Sequence, residues 1–375
     1  MSLRVLAVNP RKSTTKIGFF SGREEIVCRE IHHDEAELSK FQSMAEQWSH
    51  RLRALEELLS ELKLSADDAP TDAVIALAAL PVYAPGGAYS VDGDLLDMLK
   101  TIEPEEGRAG LGASLADSLA QPRKAPAFAV AEIASEDLDP ISRISGLPEL
   151  PFGCVSHTLS ISDAVHRASY DLSIPDSELS VVVAHLGKGF SICSHRGGRV
   201  IDLSTSNERG PFSPVMTGSA PAAEIIRMAY SGLWSRDALL EQVKFLGGMM
   251  SYTGAYSLQE IAMRSMGGDS FAGLVMKSMA YQIAQEIASQ STALSGRVDG
   301  IILTGGCAME ELFVDMIKDG ISWIKSRILV YPGEDELRSM ANCALRVLMK
   351  EERVRVCQEA VARRPSRPDN KNAPY

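Results

Sequence analysis

Residues 182–218 constrain this chain more tightly than any other stretch. An apolar run ending in Val181-Val182-Val183-Ala184 enters a glycine turn at His185-Leu186-Gly187-Lys188-Gly189. A second strand pattern follows directly, with a basic turn, Arg196-Gly197-Gly198-Arg199, beyond it. Glycine tolerates close approach and unusual dihedrals, so a strand–glycine turn–strand unit lets backbone N–H groups face a phosphate. The N-terminus uses the same device: Val5–Val8 breaks at Asn9-Pro10 and resumes at Lys16-Ile17-Gly18-Phe19-Phe20. The two hairpins lie about 175 residues apart, near half the length, which implies two similar halves.

The chain has 375 residues, enough for two domains with separate cores. A net charge of −11 argues against a nucleic-acid or membrane-surface role, since both need a basic face. No apolar run approaches the ~18 residues of a membrane span, and the opening run is too short for a signal peptide. Cys28, Cys154, Cys193, Cys307, Cys343 and Cys357 are scattered without CxxC spacing, as expected of reduced, buried thiols in a cytoplasmic protein.

Between the hairpins, Leu52, Leu55, Leu58, Leu59 and Leu62 recur at helical spacing and predict an amphipathic helix over 48–63. Val74-Ile75-Ala76-Leu77 reads as a buried strand, and the charged, Ala-rich stretch 103–124 as helix and loop. Val275, Met279, Ile283 and Ile287, flanked by Ala280, Ala284 and Ala288, predict one long helix over 268–294, its stripe a packing face. Residues 298–307 give another buried strand ending in a Gly pair, and Ile328–Gly333 the next. Glu334-Asp335-Glu336 opens the helix after it, where acidic residues suit a helix N-terminus. The Pro-rich, polar tail 363–375 is expected to be disordered. Glycine-bearing turns at 9–16, 185–189 and 304–308, with strand–helix alternation, favour an α/β fold that clamps a nucleotide between two domains.

The segments VAHLGKGFS, GRVIDL, GPFSP, GGMMSYTGA, MAYQIAQEI, VDGIILTGG and VYPGEDE resemble, in order and spacing, those of the acetate/propionate/butyrate kinase family, butyrate kinases above all. The similarity runs from about residue 3 to about residue 350. It implies two α/β domains of the ribonuclease H type, as in actin, sugar kinases and Hsp70, around a nucleotide cleft. The first would comprise 1–155 plus 335–362, its C-terminal helix packing back, and the second 156–334. It also implies transfer of the γ-phosphoryl of ATP, with Mg²⁺, to a short-chain fatty acid, giving ADP and an acyl phosphate. A cytoplasmic homodimer is expected, with no nucleic-acid or membrane partner.

Carried over residue by residue, the resemblance makes His157 and His185 catalytic. Asn9, Ser13, Lys16, Gly187, Lys188, Gly189, Gly305 and Gly306 become nucleotide- and phosphate-binding, and Asp335 and Glu336 become carboxylates for Mg²⁺. Other positions depart from the family. Asn9-Pro10-Arg11-Lys12 replaces Asn-Pro-Gly-Ser, Leu77 stands for a substrate-facing Arg, Ala131 for a catalytic Asp (with Glu132 next to it), and Lys188 for a Gly. Met216 takes the place of the Arg that stabilises transition-state charge, and Ser257-Leu258-Gln259 that of a nucleotide-side Asp-x-Arg pair. Leu77 and Met216 are placed at the substrate pocket, and Leu77 in place of an Arg makes it greasier, which favours a longer or branched acyl chain. Arg11, Lys12, Lys188 and Arg209 are the new cations close by. Two functions stay open: a carboxylate kinase, or a catalytically degenerate relative that keeps fold, dimer and nucleotide binding in a regulatory or scaffold role.

Overall fold

The computed structural model describes residues 2–78, 80–81, 83–101 and 110–361, which form two compact α/β units. The first runs to Ser135 and resumes at Asp335; the second is Glu136–Glu334. The first boundary thus falls earlier than the 155/156 expected. Residues 136–154 join the second unit because their backbone bonds there: Asp139 N–H donates to Ile201 O (3.0 Å) and Gly153 N–H to Glu208 Oε2 (2.8 Å).

The first unit is built on β1 (Arg4–Pro10), β2 (Thr14–Ser21), β3 (Glu24–His32), β4 (Ala73–Leu77), β5 (Tyr89–Ser90) and β6 (Ala127–Val130), in the order β3-β2-β1-β4-β6-β5. A two-residue strand, β7 (Ala134–Ser135), follows. β1–β3 form an antiparallel meander, while β4 and β6 run parallel to β1. Central β1 is buried from Val5 to Pro10, so its apolar run does not alternate. Edge strand β3 carries exposed Glu24, Glu25 and Glu30, charges that discourage further pairing. Helix Trp48–Glu61 buries Leu55 and Leu59, as its periodicity predicts. Of the stretch 103–124, the described part forms the helix Leu111–Ala120. At Gly112 an added Cβ would stand 1.9 Å from the Leu77 carbonyl oxygen, so only glycine lets this helix lie on the end of β4. Helix Glu336–Leu348 packs on β1, β2 and β4.

The second unit has a short β8 (Val155–Ser156), then β9 (Ser180–Leu186), β10 (Phe190–Arg196), β11 (Arg199–Thr205), β12 (Gly300–Gly305) and β13 (Arg327–Pro332). Its main sheet is ordered β11-β10-β9-β12-β13: again an antiparallel meander, with β12 parallel to β9 and β13 to β12. The repeated pattern bears out two similar α/β halves of the ribonuclease H type. Helix Ser270–Ala293 buries Val275, Met279, Ile283 and Ile287 in one core with Val182, Ala184 and Ile192. Helix Thr158–Leu172 buries Ile161, Val165 and Ala168 in another with Val181, Val183 and Ile302. The sheet is therefore covered on both faces, the usual setting for its parallel strands.

Among the described residues no helix is long and apolar enough to cross a membrane. None of the six cysteines, all among the described residues, is in a disulfide. The tail 363–375 lies outside the described residues.

Candidate functional site

In the second unit, β9 and β10 are joined by a three-residue turn, since Leu186 pairs with Phe190. That length sets His185 opposite Ser191, and directly opposed residues share a face of the sheet. The end of β12 lies against this turn. Gly305 has φ +95°, and a Cβ there would meet Leu186 backbone atoms at 2.6 Å, so the approach requires glycine. Beside these glycines opens a cavity of about 460 Å³, lined by Gly187, Lys188, Leu258, Gln259, Gly306 and Glu310 among others. That volume suits a small-molecule site.

His157 lies between β8 and the helix it caps, and its ring stacks on His185 with centroids 4.4 Å apart. Its Nδ1 is 2.8 Å from Ser191 Oγ. Burial, reinforced by the neighbouring His185 ring and opposed by Glu334, pushes the His157 pKa down to about 3. The imidazole is therefore neutral at pH 7. When the Ser191 hydroxyl donates to Nδ1, the ring proton sits on Nε2, where it can donate to an anion. His185 is fully buried and neither of its ring nitrogens is hydrogen-bonded; Nε2 lies 3.3 Å from Glu334 Oε1 without hydrogen-bond alignment. His185, foremost, holds the Glu334 carboxyl below its ordinary range, with help from His157 and the Gly306 N–H. Burial, with Glu334 adding to it, pushes the Cys307 thiol up to about 12, which makes it inert at neutral pH.

The loop after β11 braces the glycine turn. Ser213 Oγ donates to the Lys188 carbonyl oxygen (2.5 Å) and accepts from Met216 N–H (3.0 Å). The Met216 thioether packs on Gly189, where a Cβ would stand 2.9 Å from Sδ. The basic turn has a different job from phosphate binding. Gly197 and Gly198 take φ +59° and +82° in a two-residue hairpin, and Arg196 and Arg199 pair with Asp139 at 3.8 and 2.5 Å. Arg209 is likewise held within its own unit, by Asp202, the Leu203 carbonyl and the Phe152 ring.

The first unit holds a second group of site residues. Buried Asn9 donates from Nδ2 to Glu336 Oε2, and Arg11 donates to the same oxygen at 2.6 Å. Asn9 Oδ1 has no partner. A Glu132 carboxylate oxygen lies within 4.8 Å of one from Glu336. Arg51 shapes the turn before β2. Fully buried, it donates to Lys12 O, Thr14 O, Thr15 Oγ1 and Gln47 Oε1, and burial lowers its pKa to about 10, so it stays charged.

Three candidates stand apart from these groups. Lys16 pairs across the sheet with Glu30 at 3.9 Å. Ser13, half-buried, gives its carbonyl to the His33 N–H. Asp335 caps its helix through the Arg338 N–H and pairs with Arg338 Nε (2.9 Å), so both oxygens are engaged, and Glu336 with Glu132 forms the acidic pair instead. The structure gathers His157, His185, Gly187, Lys188, Gly189, Gly305, Gly306 and Met216 in the second unit, and Asn9 and Glu336 in the first. Leu77 ends β4 half-buried, and Ala131 is buried just past β6. Sequence reasoning passed over Ser191 and Arg51. The turn length alone would have found Ser191, six residues beyond His185, whereas a buried arginine leaves no local pattern.

A model of the Acetokinase family matches residues 154–325. Probable butyrate kinase 2 of Caldanaerobacter subterraneus subsp. tengcongensis is 35% identical over 349 residues, 93% of this chain and 98% of that one. Porphyromonas gingivalis acetate kinase matches the fold with a TM-score of 0.74 at 16% identity, over 92% of this chain and 100% of that one. A propionate kinase of Francisella tularensis does so with a TM-score of 0.70 at 15% identity, over 91% and 98%. At such identities the likeness is one of fold, that of the actin-like ATPases.

Proposed function

Because the chain belongs to the acetokinase family, we propose that it works as a carboxylate kinase of the butyrate kinase type, moving the γ-phosphoryl group of ATP onto a short-chain fatty acid to give an acyl phosphate. One observation carries the reading: the 35% identity to a probable butyrate kinase extends over 93% of the chain. Phosphoryl transfer rests almost wholly on positioning and electrostatics, and the site residues suit both tasks. The cavity beside Gly187 and Gly306 takes the nucleotide, with Leu258 as an apolar wall for the base. Neutral His157, its Nδ1 held by Ser191, offers Nε2–H to a phosphoryl oxygen.

The residues also fit Mg²⁺. The first unit offers hard oxygen donors, the carboxylates of Glu336 and Glu132 and the partnerless Asn9 Oδ1, which is the ligand type this ion prefers. When bound there it would neutralise charge on the transferring phosphate, with Arg11 already supplying one positive charge beside Glu336. Leu77 and Met216 in place of cations suit a longer or branched acyl chain. Six cysteines without a disulfide among them suit a reducing cytoplasm, and exposed Tyr230, Leu233 and Phe245 suit the cover of a second copy in a homodimer.

The test is acyl phosphate formation from ATP, Mg²⁺ and straight or branched acids of two to six carbons, trapped as the hydroxamate. Wild type is expected to turn over, and His157→Ala to lose about 10²–10³ in kcat, as for one lost donor to developing charge. If wild type forms no acyl phosphate from any of these acids, the kinase reading is wrong.

A further inference from the structure

We propose that Lys188 grips the phosphates of the bound nucleotide, a phosphate ligand that this chain supplies from inside its own glycine turn. The inference deepens the kinase reading and rests on it for the identity of the nucleotide. It begins with the charges around the cavity. Among the described residues lining it, Glu310 and Glu334 are anionic and Lys188 is the one cation, while Cys307 stays protonated. A nucleoside triphosphate is strongly anionic, and two carboxylates without a cation would repel it. The phosphate end therefore lies at Lys188.

Three features make the position fit. Lys188 is exposed, and its ammonium forms no ion pair or hydrogen bond with either carboxylate, so it can engage a ligand without first breaking a bond. Its backbone is fixed, because the buried Ser213 hydroxyl holds its carbonyl at 2.5 Å. The Met216 thioether on Gly189 gives the turn an apolar flank, which sets no further charge beside the lysine. The competing basic residues are engaged elsewhere: Arg196 and Arg199 on Asp139, Arg209 on Asp202. A lysine is a point charge without the arginine fork, so it neutralises phosphate oxygens without imposing a bidentate geometry.

The experiment compares full-length wild type with Lys188→Gln and Lys188→Arg. ATP and adenosine binding are measured by calorimetry, and kinase turnover by hydroxamate trapping. Lys188→Gln is expected to weaken ATP binding between about tenfold and a hundredfold, the range of one charge-assisted contact. Adenosine binding should stay unchanged, and kcat/KM for ATP should fall at least as far. Lys188→Arg should keep most of the ATP affinity, and added salt should weaken ATP binding to wild type more than to Lys188→Gln. Equal ATP affinity and kinetics in wild type and Lys188→Gln would overturn the proposal and leave the kinase reading standing. So would a parallel loss of adenosine binding, which signals a disturbed cavity. Lys188-dependent ATP binding without any acyl phosphate would uphold the proposal and sink the kinase reading.

Discussion

His195 sits in β10 with its Nδ1 unpartnered, and burial lowers its pKa to about 4 although Asp176 pulls the other way and His166 adds a little to the lowering. In the unfolded chain the same ring titrates near 6.5. Below about pH 6.5 the unfolded state therefore takes up a proton that the folded state refuses. The stabilisation is complete above that pH, falls as pH drops towards 4, and changes no further below it. The full gap is worth about 3 kcal/mol, and about 2 kcal/mol is already gone at pH 5. That loss precedes most carboxylate titration and is a large fraction of the stability of an ordinary domain. The perturbation is His195→Gln, which keeps a polar side chain at the site and removes the titration. Urea unfolding at pH 7.5 and pH 5.0 reads the result. Wild type should lose about 2 kcal/mol more between the two pH values than the variant does. Equal losses would refute the reasoning. His33 gives an independent check in the first unit: burial, with Arg51 second, lowers its pKa to about 4, so His33→Gln should flatten the acid slope of that unit in the same sense.

Gly305→Ala places a Cβ 2.6 Å from the Leu186 backbone at a left-handed φ, so nothing nearby can yield. It should cost at least about 2 kcal/mol and abolish thermal stabilisation by ATP. At Gly187 the nearest atom is the movable end of Glu334, so Gly187→Ala should keep its melting temperature within a few degrees of wild type. Arg51→Met removes the bonds that shape the turn before β2 and should cost about 3–5 kcal/mol in urea unfolding, with Arg51→Lys failing to restore it. Ser191→Ala frees His157 Nδ1 and should lower kcat about tenfold at unchanged KM for ATP; Ser191→Thr should recover it, and nitrogen NMR of the His157 ring should show the Nε2–H tautomer only where a hydroxyl is present.

What the sequence made readable was whatever repeats with a short period. The β1–β2 and β9–β10 hairpins announce themselves because an apolar run stops at a turn and resumes, and helix Ser270–Ala293 because Val275, Met279, Ile283 and Ile287 return every four residues. Long-range pairing has no such period. Arg11 reaches Glu336 across 325 positions, and no local pattern ties them. Asp335 and Glu336 look alike in sequence, yet a helix cap takes one and leaves the other facing Asn9. The cations beside the glycine turn make the same point more sharply. Lys188, Arg196, Arg199 and Arg209 were equivalent as charges within one segment. Folding sorts them by whether a carboxylate lies in reach, so three became struts of the second unit. The fourth, at the centre of the three-residue turn that sets His185 opposite Ser191, lines the cavity. Register and chemistry are thus fixed by the same turn, and lengthening it by one residue should displace the lysine and break the His157–Ser191 contact together.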